Sequence, residues 1–576
     1  MLAEITEIFK NAYDKQGDDL ILSNYNLKPG SYLQVNDKGE VYNVFNINRN
    51  TDQTEETFNH IKALDYHSNM LNSNKCLDKK KKIHNNNLYT FFVKKENLSG
   101  VLTYEIIDNF YEVLAEPYIK YTPEQYKEIE NSLGKVNVNK VMQHKEWIKD
   151  NIFNLIKEFD LPDDKSYLKI FFDASMDDYI KESNRYILPN IFNSSKHNVT
   201  LNNTTYGVPN NNMTINVAKP SLINLTRKIN YPNMITQEEA LLQKKLFDYL
   251  LSMCTSKKKN IYINDDEIHA TDSNYSKAFN GYLIRVENDM SNAKISDFMF
   301  VNKQKDKNFI IEDIFDASKV YEIPKILYDK EITFNELISL INVMLFRKKL
   351  LYNLWQEDGD MSVNKDVLGY EIIKTKQAYK DWFYAGNENL IRKIFEKSSM
   401  NIVSEQISNG YYPYEQMNLI FNLINYFKGV DMGRSFKELY QSLRKKLIDA
   451  DEQERLENDN EFWFAAGQLV RYLLFINRGR SKKDSLLNPF LNAKTCDQLK
   501  DKMQKLFEKY NFDIHFNSKK FKKMYILVFD YKTNTKVNKQ ILTAGFMYEN
   551  VLLEKNEVLE EKESNNEKLN KKENVQ

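Results

Sequence analysis

Cysteine is nearly missing from this chain. Cys76, Cys254 and Cys496 are the only three in 576 residues, far apart, with no CxxC pair and no histidine at ligand spacing. That argues against a disulfide framework and against a zinc site. Glycine is scarce, at 16 residues, which disfavours a protein built largely of tight β-turns. Net charge is lacking too. The 81 Lys and Arg are balanced by 81 Asp and Glu, so the chain has no overall basic field of the kind a free, non-specific DNA binder carries. No apolar run approaches the roughly 20 residues needed to span a bilayer. The first segment, MLAEITEIFKNAYDK, is charged throughout and reads as an amphipathic helix rather than a signal peptide. A cytoplasmic protein without membrane contact is expected.

Catalytic signatures are also missing. There is no GxxxxGK[ST], HExxH, GxSxG or kinase motif, and no histidine is followed by aspartate. Asp173, Asp177 and Asp178 could in principle hold magnesium in a nuclease. Their bland reading is a helix N-terminus enriched in acidic residues. No cofactor, no metal and no enzymatic activity are expected.

What is present is ample apolar material, 42% hydrophobic and 13% aromatic, in a chain long enough for several domains. SYLQV–NDKG–EVYNV reads as a β-hairpin, with Gly39 able to take a left-handed position. YLKIFFD, NIYIN and GYLIRVEN read as strands. Thr200–Leu201 and Thr205–Tyr206 flank Asn202–Asn203 as a second hairpin. Thr236 with Glu239, and Thr333 with Glu336, form capping boxes at two helix starts. Beyond residue 330 the apolar positions take helical spacing, as in Met417, Ile420, Phe421 and Ile424, or Phe462, Ala465, Ala466, Leu469 and Leu473. YILVFDY, from Tyr525, is open between strand and helix. The fold class expected is α+β: a mixed region over 1–330, a helical bundle over 331–553 and a disordered charged tail over 554–576.

Three polar groups stand out. In YGVPNNNMTINVAKPSLINLTRK, the turn formers Gly207 and Pro209 precede Asn210, Asn211 and Asn212, with Lys219, Arg227 and Lys228 behind them. Clustered amides beside cations are the groups that meet base edges and phosphates. Lys79, Lys80, Lys81 and Lys82 precede His84, the amides Asn85 to Asn87, and Phe91 and Phe92. Cations beside aromatics suit a single-stranded or RNA ligand, and a solvated loop accounts for the lysines equally well. Arg471, Arg478, Arg480, Lys482 and Lys483 trail a helix, with Lys519, Lys520, Lys522 and Lys523 further on. They suit a phosphate-tracking groove or an ordinary solvated face.

Several stretches together resemble the large subunit of the type I-B CRISPR Cascade surveillance complex: NKCLDKKKKIHNNNLYTFFVKKENL, YLKIFFD, RYILPNIFN, YGVPNNNM, EALLQKKLFDYLL, FWFAAGQLVRYLL and SLLNPFLNAK. Thr214 stands where the family often has glycine, and no aromatic accompanies Ser221. The resemblance implies a non-catalytic recognition subunit that probes the short flanking motif, the PAM, on double-stranded DNA. Guide RNA pairing reads the rest of the target. It further implies aid in duplex opening and R-loop formation, and recruitment of a helicase-nuclease in antiviral defence. The helical bundle would lie along the displaced strand beside the Cascade backbone and small subunits. Lys79 to Lys82 with His84, Phe91 and Phe92 would meet the guide RNA or a neighbouring subunit. The competing expectations are a scaffold making only protein contacts and a metal-dependent nuclease.

Overall fold

The computed structural model describes residues 2–71, 75–192, 198–202, 204–209, 234–289, 292–304, 307–317, 325–356, 359–409, 413–448, 454–476, 487–510 and 519–554. The class is α+β, with mixed structure in the N-terminal part and helices in the C-terminal part. Two compact units divide the chain: Met1–Tyr275 with Asn280–Phe300, and Ser276–Phe279 with Val301–Gln576. The change of unit comes at Val301, ahead of the position near 330 where the apolar spacing changes in the sequence. The reason is that β-structure and loops around Ile311, Phe315 and Ile326 pack into the helical core.

The first unit is built on a four-stranded sheet of β1 (Gly30–Val35), β2 (Val41–Ile47), β3 (Thr90–Lys94) and β4 (Tyr167–Phe172), in the order β2-β1-β4-β3. The NDKG turn joins β1 to β2 as expected, and Gly39 has φ +81°. YLKIFFD becomes the interior strand β4, parallel to β1 and antiparallel to β3. Successive side chains of a strand point to opposite faces. Leu168, Ile170, Phe171 and Phe172 are all buried, so helices and loops cover both faces of this strand. A small sheet follows, of β5 (Val199–Leu201), β6 (Thr204–Gly207) and β7 (Ile235–Thr236). Thr236 then starts the long helix Gln237–Thr255 through the expected capping box with Glu239. A second four-stranded sheet has the order β11-β10-β8-β9. It comprises β8 (Asn260–Ile263), β9 (Ile268–Thr271), β10 (Phe279–Asp289) and β11 (Asn292–Lys303).

The second unit opens on a short pair, β12 (Phe309–Ile310) and β13 (Glu331–Ile332), and is otherwise helical. Thr333 and Glu336 cap the helix Phe334–Met344 reciprocally, as their spacing predicts. The helix Asp459–Phe475 runs through the core: Phe462, Ala465, Ala466, Leu469 and Leu473 are buried. YILVFDY resolves as helix up to Asp530, forming the second half of Lys519–Asp530, in which Met524, Leu527 and Val528 bury one face. Glu554, expected to begin the tail, is instead bound: Tyr440 donates to its carboxylate, and Arg444 Nε lies 3.0 Å from Oε2. Residues 555–576 lie outside the described residues. Among the described residues no helix is long and apolar enough to cross a membrane.

A close backbone approach between helices in this unit joins Asp459–Phe475 to the helix Lys539–Met547. A Cβ at Gly467 would stand 2.2 Å from the carbonyl oxygen of Leu542 and 2.7 Å from the Phe546 nitrogen. Neither atom can swing aside as a side chain would. Gly467→Ala is therefore expected to destabilise the second unit by about 1–3 kcal/mol, the usual cost of overpacking. Gly359→Ala is the control, since nothing lies within 4 Å of a Cβ there. Thermal unfolding of the two variants measures this, and equal midpoints would contradict the packing described.

Candidate nucleic-acid interface

The expected hairpin at Asn202 forms. Asn202 takes the left-handed conformation at φ +49°, which asparagine tolerates better than most residues. The Thr200 and Thr205 hydroxyls lie 3.3 Å apart across the strands. Strand β6 then pairs with β7 through Tyr206↔Thr236 and Gly207↔Ile235. The chain thus leaves this small sheet after Gly207 and returns to it at Ile235. The exit is pinned a second time by a bridge between Phe192 and Pro209. Gly207 is needed there, because a Cβ would fall within 2.4 Å of the Phe192 ring. Val208 is buried beside it. The segment that carries the expected probes is therefore closed at its base. Asn210, Asn211, Asn212, Lys219, Arg227 and Lys228 themselves lie outside the described residues.

The lysine-rich stretch is built on Asp78. Its buried carboxylate accepts the backbone N–H groups of Lys80 (2.8 Å), Lys82 (2.6 Å) and Ile83 (3.3 Å), while Lys81 takes φ +57°. Lys79, Lys80 and Lys81 remain exposed at the turn. The residues behind them do not. His84 is held between the Tyr167 hydroxyl at 2.7 Å and the Lys81 carbonyl at 2.9 Å, and burial pushes its pKa down.

Asn85 donates to the carbonyls of Asn87 and Thr90 and accepts the Phe92 N–H. Asn86 donates to the Asn69 carbonyl, and Asn87 to that of Tyr179. The NH2 groups of these amides are spent inside the fold. Phe91 and Phe92 are 0% and 1% exposed, on opposite faces of β3. Phe91 stacks on Tyr111, and Phe92 packs against Phe171. The expectation that Phe91 and Phe92 contact RNA or a partner subunit is corrected: they are core residues, and only the lysine turn faces outward.

Arg471 requires a similar correction. Its Nη1 donates to the carbonyls of Phe546 (3.2 Å), Met547 (3.0 Å) and Tyr548 (2.6 Å), closing the end of the helix Lys539–Met547. Those bonds remove it from a strand-tracking groove. Arg478, Arg480, Lys482 and Lys483 lie outside the described residues. Of the second cluster, Lys519 and Lys522 are exposed around the buried Phe521.

Of the acidic group, Asp177 and Asp178 lie in the first turn of the helix Met176–Asn190. Asp173 accepts the Tyr42 hydroxyl at 2.7 Å, and the Ser175 hydroxyl accepts the Asp178 N–H as helix cap. Among the described residues no three His, Cys, Asp or Glu side chains are grouped to hold a metal ion.

Several buried ionisable groups escaped the sequence reading, Lys169 and His144 among them. Lys169, in the middle of YLKIFFD, pairs with Asp65 and lies over the rings of Phe92 (4.6 Å) and Tyr32 (5.1 Å). Burial lowers its pKa, against the pull of the Asp65 carboxylate. A lone lysine in an apolar strand was the available signal, but its partner is 104 positions away. His144 donates through Nδ1 to the Leu88 carbonyl at 3.0 Å and stacks on Phe172 at 4.0 Å. No family model, curated protein or solved structure matches the chain.

Burial brings the His144 pKa down from 6.5 to about 4. The unfolded chain therefore takes up a proton between those values that the folded chain refuses. The stability from neutral His144 is complete above pH 6.5 and is lost as pH falls toward 4. The loss amounts to about 3 kcal/mol over the full window. Urea unfolding of wild type and His144→Gln at pH 7 and pH 4.5 tests this. Wild type should lose more stability than the variant, and equal losses would contradict it.

Proposed function

We propose that the chain is the non-catalytic large subunit of a type I-B CRISPR Cascade, inspecting the PAM on double-stranded DNA. The observation that carries this reading is the closed base of the segment 210–233. Pairing of β6 with β7, together with Phe192 against Gly207 and Pro209, presents that asparagine- and lysine-bearing segment from one fixed point. A loop anchored in this way can bring amides to a groove without relying on net charge. Amides both donate and accept, which suits the limited A·T-versus-G·C pattern of the minor groove. Lys219, Arg227 and Lys228 would set its position through phosphates. The motif order described above and the mixed-then-helical organisation support the same reading. Duplex opening, R-loop formation and recruitment of the helicase-nuclease belong to it as functions of the assembled complex. The partners are guide RNA, target DNA, and the backbone and small subunits, in the cytoplasm. The exposed turn at Lys79 to Lys81 is the part of its stretch left to contact the guide RNA or a neighbouring subunit.

One reconstitution tests both surfaces. Replacing Asn210, Asn211 and Asn212 together by alanine is expected to weaken PAM-dependent duplex binding by at least roughly tenfold while assembly stays intact. Lys79→Glu with Lys80→Glu is expected to loosen the subunit from the complex during purification. Wild-type complex that binds duplexes equally with and without the PAM would overturn the assignment. Binding that is unchanged when this subunit is omitted would favour a scaffold making only protein contacts.

A further inference from the structure

The second unit contains an open concavity of about 350 Å³ lined by Lys348, Lys349, Tyr352, Asn353 and the run 361–364. Its wall is fixed. Asn353 is fully buried, donates to the Lys349 carbonyl at 2.8 Å and accepts the Ser362 N–H at 2.7 Å, so it clamps the 361–364 strand of chain to the helix Lys349–Asn353. Lys348 and Lys349 put two cations in its lining, and the exposed Asp360 precedes the lining residue Met361. Arg347 and Lys348 are exposed, and no carboxylate among the described residues pairs with Arg347, Lys348 or Lys349. Its aromatic is presented: Tyr352 is 67% exposed, although it lines the concavity.

The backbone there is held in an unusual way. Arg347 and Lys348 both have left-handed φ, +51° and +67°. Phe346, immediately before them, is buried and lies edge-on to Tyr379. The Asn342 carbonyl then accepts the Lys348 N–H at 2.8 Å, while its side chain accepts that of Leu351 at 3.1 Å. Glycine would adopt this turn without strain. Two long cations occupy it instead, and backbone strain of this kind concentrates where a side chain must be presented.

We infer that this concavity binds a nucleotide, its phosphate against Lys348 and Lys349 and its base stacked on Tyr352. Cations meet the phosphate, the ring offers a face to any base, and the Ser362 hydroxyl and Asn364 amide supply polar partners for the sugar or base edge. The volume suits one nucleotide. A base in a duplex is stacked on both faces and cannot offer one to Tyr352. The ligand is therefore a free nucleotide or one residue of a single strand. The inference stands independently of the function proposed above.

Lys348→Gly removes a cation while relieving the left-handed backbone, so the variant should fold at least as well as wild type. The full-length chain is titrated with AMP and with a fluorescent ten-residue oligothymidylate. Wild type is expected to bind one or both. Saturation by AMP with displacement of the oligonucleotide identifies a free-nucleotide site. Oligonucleotide binding that millimolar AMP leaves intact identifies a strand site. Lys348→Gly is expected to weaken binding by about tenfold at low salt, and Tyr352→Ala by about fivefold or more. Neither variant should lower the unfolding midpoint by more than a few degrees. Absence of binding by wild type, or affinity unchanged in both variants, overturns the inference.

Discussion

Three consecutive buried amides, those of Asn85, Asn86 and Asn87, govern the placement of the candidate interface. Asn85 closes the turn before β3 by accepting the Phe92 N–H. Asn86 and Asn87 reach across to Asn69 and to Tyr179, which lies on the helix Met176–Asn190. That helix leads to Phe192, whose ring lies against Gly207 and whose backbone bridges to Pro209. The amides therefore fix a helix, the helix fixes a ring, and the ring fixes the exit of the 210–233 segment. Each bond contributes only about 1 kcal/mol net, but a buried partner left unsatisfied costs about 1–3 kcal/mol. The arrangement is accordingly sensitive to loss of any one amide.

The helical unit is organised by backbone contact rather than by polar bonds alone. Gly467 and Gly545 admit two helices to backbone distance. Gln468, buried beside them, donates to the Gly545 and Glu549 carbonyls and accepts the Val551 N–H. Arg471, one turn further on, continues the same seam by capping the carbonyls that follow. Cations that look available in the sequence are consumed by the fold here. Those of the Arg347–Lys349 turn pair with no carboxylate among the described residues.

Local signals were legible in the sequence because local physics decides them. The NDKG hairpin, the turn at Asn202, and the capping boxes of Thr236 and Thr333 need only residues within a few positions. The buried strand in YLKIFFD was legible from its apolar run. The fate of an amide or a cation was not. Asn85 to Asn87 and Asn210 to Asn212 look alike as sequence, yet the first set is spent on Asn69, Thr90 and Tyr179, partners that tertiary structure brings to it. Phe91 and Phe92 were read as stacking surfaces because they follow lysines. Strand alternation instead sends one to each face of a sheet that is covered on both sides. YILVFDY was ambiguous because a short apolar run suits either period, and the neighbouring helices settled it.

The central claim is that the segment rooted at Gly207 and Ile235 meets the DNA flank. Photo-crosslinking addresses it most directly. A duplex target carrying a photoreactive nucleotide within the PAM is bound to the assembled complex and irradiated, and the labelled peptides are mapped by mass spectrometry. The account predicts label on peptides within 206–236, competed by unlabelled PAM-bearing duplex. Label confined to other segments of this chain, or to other subunits, would contradict it.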